Sequence, residues 1–349
     1  MEQDKNKKRR IAINGFGRIG RAAFKIALKK ETIEVVAIND LTDPKMLAYL
    51  LEHDTVYGRY HEPVSASDKK PVKHDDCKGS IEVHGKLYPI LSQKEPEKLP
   101  WKSLGVDVVI ESTGFFTKHE DAKRHLTAGA KRVVISAPAK DKETQTHVIG
   151  VNTAQKVSSE IVSNASCTTN SIAPVIAVIH KAFGVEKALM TTIHSYTSTQ
   201  NLVDGPSKDL RRARAAAQNI IPTSTGAAIA TTKVIPELEN KFDGMSVRVP
   251  TIAGSLSDIT MLLKKNASKE DINKALTEAA TKPPFKGVIQ VSHDPLVSSD
   301  IIGNAHSAVV DLEFTNVVGG NLAKVLAWYD NEWGYANRLV EMAETLSIA

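Results

Sequence analysis

Cys167 stands in the run Ser163-Asn164-Ala165-Ser166-Cys167-Thr168-Thr169-Asn170 and is one of two cysteines in 349 residues. It follows a β-like run, Glu160-Ile161-Val162, and precedes a segment that reads as a helix from Ser171 to Phe183. A thiol at a helix N-terminus lies in the positive end of the helix dipole, which favours thiolate. Ser, Asn and Thr around it are the residue types that cap helix starts. The local sequence leaves two readings open, a reactive thiol and a buried small hydrophobe. His194, in His194-Ser195-Tyr196-Thr197, is one of 11 histidines. Alone it reads as a structural histidine; only pairing with Cys167 in space makes it a base.

A second chemical signal lies near the N-terminus. Gly15-Phe16-Gly17-Arg18-Ile19-Gly20 follows a strand and opens a helix within a βαβ unit, the context that makes a GxGxxG specific for dinucleotides. Glycines at Gly15, Gly17 and Gly20 allow a tight turn and close backbone approach. The pyrophosphate then meets the amides of Arg18 and Ile19 at the helix N-terminus. Asp40 ends the next strand, placed to accept hydrogen bonds from the adenosine ribose and to repel a 2′-phosphate. The expected cofactor is therefore NAD; the competing reading of Asn39-Asp40 is a cap or turn.

These residues need two kinds of scaffold. In the first half, short apolar runs alternate with helical patterns: strands at Arg10–Asn14, Glu34–Asn39, Val106–Ser112 and Arg132–Ser136, helices at Arg18–Lys30 and His119–Ala128. That alternation predicts an α/β, Rossmann-type doubly wound parallel sheet. Ser65–Tyr88 reads as an antiparallel excursion with turns at Lys78-Gly79 and His84-Gly85. After Cys167, β-rich stretches dominate: Ala188–His194, Met245–Pro250, Ser257–Leu263, Ser307–Phe314 and Leu322–Tyr329. With helices at Gly226–Ile235 and Ala267–Thr281 they predict an α+β catalytic domain on a mixed or antiparallel sheet. The expected division is residues 1–166 for the NAD-binding domain, with the amphipathic C-terminal segment 332–349 returning to it, and 167–331 for the catalytic domain.

Composition excludes several classes. Charged residues are 24% and hydrophobic residues 42%, ordinary values for a globular protein. No apolar run approaches the ~18–20 residues that span a bilayer. Met1–Arg10 is charged and lacks the apolar core of a secretory signal, so it reads as a solvated arm. Two cysteines make no disulfide framework, and a lone functional thiol suits a reducing cytoplasm. The net charge of +5 is spread out, apart from Lys7–Arg10 and the Arg211-Arg212-Ala213-Arg214 cluster. The latter suits a small anionic ligand, and nucleic-acid binding is at most a side activity. No metal is expected.

Ile13–Arg21, Ser163–Asn170, His194–Thr197, Ile220–Ala228 and Trp328-Tyr329-Asp330-Asn331-Glu332-Trp333-Gly334-Tyr335 together resemble the glyceraldehyde-3-phosphate dehydrogenases, in order and from residue 11 to the C-terminus. The resemblance implies that Cys167 is the nucleophile and His194 its activator. Physical chemistry agrees: a thiolate adds to an aldehyde, imidazole lowers the thiol pKa, and the thioester left after hydride departure is attacked by inorganic phosphate. It implies that Thr197 and Arg248 hold the substrate's phosphate. It assigns Ser166, Thr168, Arg212, Thr225 and Gly226 to the attacking phosphate, although Arg211 and Arg214 compete with Arg212. Asn331 matches the residue that binds the nicotinamide carboxamide. Thr113, Gly114 and Ser136 match positions lining the cofactor groove, and Lys94 a position near the adenine. A homotetramer is implied, with residues 201–219 packing against a neighbouring subunit's cofactor site.

The chain departs from the family in two places. Ser171 replaces a frequent second cysteine, so that thiol is not essential. The stretch Val249–Asp258 introduces Gly254 and loses an asparagine, which puts strand packing or the subunit interface in question rather than the chemistry. Two rival functions remain. Erythrose-4-phosphate dehydrogenase shares the Cys and His motifs and can resolve its thioester with water, but Tyr196-Thr197 and Thr223–Ala228 resemble the phosphorylating enzyme. A non-catalytic binding protein is opposed by the presence of every residue the chemistry needs.

Overall fold

A computed structural model describes residues 8–153 and 157–348; residues 1–7 of the expected basic arm lie outside them. The described chain divides into two compact units, one holding residues up to 145, 157–164 and from 339 onward, the other 146–153 and 165–338. The expected boundary after residue 166 thus falls just after Asn164. Ala165 and Val148 both join the second unit's core, where each is fully buried. The C-terminal helix, Trp333–Thr345, begins in the second unit and ends in the first.

In the first unit the strands are Arg9–Asn14 (β1), Ile33–Asn39 (β2), Val64–Ser67 (β3), Cys77–Val83 (β4), Lys86–Leu91 (β5), Val108–Glu111 (β6), Arg132–Ile135 (β7) and Ile161–Ser163 (β8). They run in the order β8-β7-β6-β1-β2-β5-β4-β3, with a two-residue strand at Gln145–Thr146 closing the β8 edge. From β8 to β5 every pairing is parallel. β5, β4 and β3 are antiparallel, the excursion expected from the sequence. Ile11, Ile13, Val109, Ile110, Val133 and Ile135 are fully buried, as strands covered on both faces must be. Helices Arg18–Leu28 (α1), Pro44–Glu52 (α2) and His119–Thr127 (α3) alternate with these strands. α2 was not expected; the Asp43-Pro44 pair that starts it is a cap followed by proline in the first turn.

The two proposed turns separate. His84 and Gly85 have φ of 53° and 73° and form the two-residue hairpin loop between β4 and β5. Lys78-Gly79 is not a turn: it lies inside β4, at a register shift against β5. A Cβ on Gly79 would come 2.7 Å from the Ser67 carbonyl oxygen, so glycine serves close strand approach there.

The second unit is built on Val185–Ser195 (β9), Ile221–Ser224 (β10), Phe242–Val249 (β11), Ser255–Leu263 (β12), Ile289–Ser292 (β13), Ala308–Val318 (β14) and Leu322–Tyr329 (β15). Their order is β10-β11-β9-β12-β15-β14-β13. The sheet is mixed, because β9–β11 and β13–β14 are parallel pairs. Cys167–Phe183 (α4), Ala227–Val234 (α5) and Lys269–Ala280 (α6) complete the unit. Ile172, Val175, Ile176 and Ile179 of α4 share a core cluster with Ile259, Met261, Val310 and Val325 of the sheet. This packing seats the N-terminal turn of α4. No helix among the described residues is long and apolar enough to cross a membrane.

Glycine 20 shows how tightly α1 meets β1. A Cβ there would lie 2.1 Å from the Gly15 carbonyl oxygen, and backbone cannot give way as a flexible side chain can. Gly20→Ala is expected to cost ~1–3 kcal/mol of stability through overpacking and to weaken NAD binding. Urea denaturation and NAD titration of the variant measure both; wild-type values in each would show that the loop tolerates the methyl group.

Candidate active site

In the first unit, a cradle forms at the carboxyl ends of the parallel strands. Asn14 of β1 is in register with Asn39 of β2 and with Glu111 of β6. Gly15 has φ 93°, and a Cβ on it would lie 2.7 Å from the Thr113 amide nitrogen, so only glycine fits. A Cβ on Gly17 would meet nothing within 4 Å. Gly17 is the N-cap of α1 and no side chain caps that helix, leaving its amide end as an anion site. The residues thus fit a pyrophosphate: open space over Gly17 beside a helix N-terminus led by Arg18 and Ile19. Asp40 Oδ2 accepts from Phe16 N at 2.7 Å and Oδ1 from Thr42 N at 2.9 Å. These bonds fix the carboxylate and leave acceptor capacity for a ribose. Gly114 (φ 77°) is exposed and Ser136, whose amide donates to the Glu111 carbonyl at 2.9 Å, is half-buried. Both follow strand ends. Lys94 is exposed and lines a cleft of about 480 Å³ with Leu41, Asp76, Ser92, Gln93 and Glu95.

In the second unit, α4 begins four residues earlier than its apolar pattern predicts. Cys167 is its first residue and Ser166 its N-cap, with Ser166 Oγ accepting from Thr169 N at 3.1 Å. The chain enters through Ala165, fully buried at φ 54°, a left-handed conformation that is costly for a non-glycine residue. Tyr335 donates its hydroxyl to the Ala165 carbonyl at 3.2 Å. This turn presents Cys167 as a partly buried thiol at the helix start.

Strand register supplies its partners. β9 and β11 place His194 opposite Arg248, and Arg248 is also opposite Ile221 of β10. Cys167 Sγ lies 3.4 Å from His194 Nε2. His194 Nδ1 lies 2.7 Å from the Ser195 carbonyl oxygen, which can only accept, and 3.2 Å from Arg248 Nη1, which can only donate; the shorter contact, to the carbonyl, takes the Nδ1 hydrogen. The proton therefore sits on Nδ1, and Nε2 turns a lone pair toward the sulfur. Arg248 Nη1 reaches the Ser195 carbonyl at 3.1 Å and Thr197 Oγ1 at 3.3 Å.

Burial pushes the Cys167 thiol up, against the pull of Arg248 and of the amide and hydroxyl of Thr168. Burial, then the Arg248 guanidinium, pushes His194 down to about 3. Burial thus works against the pull of the helix terminus on this thiol. Burial opposes charge on either group alone, and the Sγ–Nε2 contact sets the two side by side. Burial also pulls Arg248 below the usual guanidinium range, and its Nε has no hydrogen-bond partner among the described residues. Within those residues it has no acidic partner, which leaves a half-buried cation equipped for an anion.

The three arginines of the cluster have different surroundings, and Arg212 has Asp209 Oδ2 at 3.5 Å. Arg214 pairs with Asp204 at 2.9 Å, away from the site and exposed. Arg211 is exposed, its Nη1 reaching the Pro222 carbonyl at 3.4 Å. Arg212 donates Nε to Thr223 Oγ1 at 2.9 Å and Nη2 to the Ser224 carbonyl at 3.2 Å, and its charge acts on both His194 and Arg248. Thr225 Oγ1 accepts from Ala227 N at 3.2 Å. Gly226 is the N-cap of α5, with no side-chain cap and open space where a Cβ would stand. Thr168 is 4% exposed and shares its hydroxyl with Tyr329 Oη at 2.9 Å.

Tyr329, Thr192, Ser195 and Ser255 were given no role from the sequence, and they surround His194 and the expected Asn331. Tyr329, whose phenol is pushed up by burial, also meets Thr192 Oγ1 at 2.8 Å and packs edge-on to His194 at 6.0 Å. On alternation alone it reads as strand core. Asn331 Oδ1 accepts from Ser195 Oγ at 2.9 Å, Ser255 Oγ at 3.1 Å and Gly254 N at 3.2 Å. Those donors fix the amide with Nδ2 as its unengaged end among the described residues. The unusual stretch after Arg248 thus reaches the site itself rather than packing alone. A Cβ on Gly254 (φ 83°) would lie 2.2 Å from the Ser298 carbonyl oxygen, so its glycine is required.

Residues 9–119 match the family model described as "Glyceraldehyde 3-phosphate dehydrogenase, NAD binding domain", and residues 166–331 match its C-terminal domain. Among curated proteins, the chain is 50% identical over 345 residues to a glyceraldehyde-3-phosphate dehydrogenase of Borreliella burgdorferi, covering 97% of this chain and 99% of that protein. It is 49% identical over 340 residues to the Priestia megaterium protein of that name, covering 97% and 98%. Against the Mycolicibacterium smegmatis protein of that name it is 51% identical over 341 residues, covering 95% and 97%.

The His194 tautomer has a measurable consequence. In His194→Asn, Cys167 loses its proton acceptor and keeps the burial that raises its pKa. Alkylation by iodoacetamide at neutral pH should slow at least roughly tenfold, and its onset should move to higher pH. An unshifted rate–pH profile would show that His194 does not activate the thiol.

Proposed function

The chain belongs to the glyceraldehyde-3-phosphate dehydrogenase family, and from that premise we propose that it oxidises glyceraldehyde 3-phosphate with NAD and inorganic phosphate to 1,3-bisphosphoglycerate, a step of glycolysis and gluconeogenesis. The observation that carries this reading is the 3.4 Å contact between Cys167 Sγ and a His194 Nε2 that bears a lone pair, beside the half-buried Arg248, which has no acidic partner among the described residues.

In this reading, Thr197 and Arg248 hold the phosphate already on the substrate, and the aldehyde carbon meets Cys167. His194 takes the thiol proton as sulfur adds, and returns it to the carbonyl oxygen, giving a hemithioacetal. Bound NAD supplies the acceptor for the hydride that leaves this carbon. As it leaves, His194 Nε2 takes the hydroxyl proton and a thioester remains. Inorganic phosphate, held by Ser166, Thr168, Arg212, Thr225 and Gly226, attacks the acyl carbon and expels the thiolate. The open space over Gly226 at the start of α5, two residues beyond the Ser224 carbonyl that Arg212 reaches, supports this phosphorolytic step over resolution by water, since helix termini and guanidinium groups bind phosphate. NAD is held by the amides of Arg18 and Ile19 around Gly15, Gly17 and Gly20, by Asp40 on the ribose, by Thr113, Gly114 and Ser136, by Lys94 near the adenine and by Asn331 on the carboxamide. The division of labour is residues 1–166 with 332–349 for NAD and 167–331 for catalysis.

The purified protein should form NADH from glyceraldehyde 3-phosphate, with turnover that depends on inorganic phosphate, and Cys167→Ser should lose at least ~10³-fold in kcat. Phosphate-independent turnover would point to the water-resolved sister reaction. Normal turnover of Cys167→Ser would remove the covalent mechanism.

The proposal extends to a cytoplasmic homotetramer. Leu189, Met245, Val318 and Leu322 are exposed and fall on one face of the second sheet by register. Exposed large apolar residues gathered on one sheet face, even with polar neighbours such as Asp243, Thr260 and Lys324 among them, suit a subunit interface. Both cysteines are unpaired, which suits a reducing compartment. Fractionated cells should release the activity with the cytosol, sedimenting at four times the 37.9 kDa chain mass; a monomer, or activity held in the membrane fraction, overturns this.

A further inference from the structure

We infer that Glu111 is a positioning residue for the dinucleotide: from the end of β6 its buried carboxylate ties together the ends of the three strands whose loops form the cofactor cradle. The inference rests on the reading that NAD binds at Gly15–Gly20 and Asp40.

Glu111 is 1% exposed, and its one ion-pairing partner among the described residues is His125, at 3.0 Å and itself fully buried. Four donors converge on its two oxygens. Oε1 accepts from the Thr113 amide at 2.8 Å and from the Thr113 hydroxyl. Oε2 accepts from Asn14 Nδ2 at 2.5 Å and faces His125 Nε2 at 3.0 Å.

The polarity of this network is fixed from outside. The indole of Trp101 can only donate, and Trp101 Nε1 gives its hydrogen to His125 Nδ1 at 3.0 Å. His125 Nδ1 is therefore the acceptor, Nε2 carries the proton, and that proton points at Glu111. Asn14, having turned Nδ2 to Glu111, presents Oδ1 to Asn39 Nδ2 at 2.6 Å. Asn39 directly precedes Asp40. One directed chain of hydrogen bonds thus runs from a buried indole, through Glu111, to the residue beside the ribose carboxylate.

The chain also governs the phosphate side of the cradle. A Cβ on Gly15 would press on the Thr113 amide at 2.7 Å, so the glycine turn rests directly on the residue that Glu111 holds. An amide in place of the carboxylate would turn an NH₂ group toward donors that have no alternative orientation. Releasing Thr113 and Asn14 then loosens both sides of the cofactor site at once, without touching Cys167 or His194.

The test compares wild type, Glu111→Gln and Trp101→Phe. It measures Kd for NAD by calorimetry, KM for NAD and for the aldehyde, kcat, and the thermal midpoint without NAD. Glu111→Gln should raise Kd and KM for NAD roughly tenfold or more, the scale of one lost charge-assisted hydrogen bond, with the loss falling on KM for NAD rather than on kcat or KM for the aldehyde. Trp101→Phe, which frees the His125 ring to turn, should shift KM for NAD in the same direction by a smaller factor. It carries the test if Glu111→Gln does not fold, and an unchanged KM for NAD in it then overturns the inference. A lowered thermal midpoint with unchanged NAD affinity in Glu111→Gln overturns it too and makes Glu111 scaffold only. Wild-type protein that fails to bind NAD overturns the reading of the cradle itself, a separate result.

Discussion

The chemistry of the second unit depends on one hydrogen bond, from His194 Nδ1 to the carbonyl of Ser195. A backbone carbonyl cannot donate, so this contact of 2.7 Å, shorter than the 3.2 Å approach of Arg248 Nη1 to the same nitrogen, decides which ring nitrogen carries the proton. With the opposite tautomer, Nε2–H would point at the sulfur and the pair would hold two protons and no base. Strand geometry holds the choice, because His194 and Ser195 are consecutive residues of β9 in register with Arg248 and Val249 of β11, and the Ser195 amide donates to Ser255 Oγ. Arg248 adds a donor to the same carbonyl. Burial then sets the terms on which charge appears. Thiol and imidazole are both pushed toward neutrality, so neither ionises cheaply alone. In the proposed reaction a proton passing between them would create both charges together, at a separation where they attract.

The same constraint, that a buried polar group must find a partner of the right polarity, organises the first unit. Asn14, Asn39 and Glu111 end three adjacent parallel strands and are 1%, 5% and 1% exposed. Apolar residues there would pack as well but would leave the strand ends free to shift against one another. Hydrogen bonds with a single allowed direction hold them in one arrangement. Both sites therefore rest on fixed proton positions, one through a backbone carbonyl and one through an indole.

What was legible in the sequence follows physical range. The glycine loop was legible because its demands are local: Gly15 needs positive φ, and Gly20 needs space against a residue five positions away. The strand–helix alternation was legible because sheets covered on both faces leave long apolar runs. The Cys167–His194 pair was not, since 27 positions separate the residues and only the register of β9 against its neighbours brings them together; family resemblance supplied it. Choosing Arg212 over Arg211 and Arg214 depended on Asp204 and Thr223, partners 10 and 11 residues from their arginines. Lys78-Gly79 misled because a glycine chosen for close strand contact carries the same signal as a turn glycine.

Gly254 shows how a departure from a family pattern can still serve its chemistry. Seen as sequence, the stretch after Arg248 looks like altered packing, because a glycine stands in a strand-rich region. In the fold, Gly254 turns the backbone at φ 83° just before β12 and fits against the Ser298 carbonyl, where no Cβ has room. That turn aims its amide at Asn331 Oδ1, and Ser255, the next residue, accepts from the Ser195 amide while donating to the same oxygen. Ser195 thus belongs to two arrangements. Its carbonyl orders the base, and its amide and hydroxyl, with Ser255, order Asn331. A substitution anywhere in 254–255 consequently acts on both, and the local sequence is constrained by orientation at the site more than by strand packing.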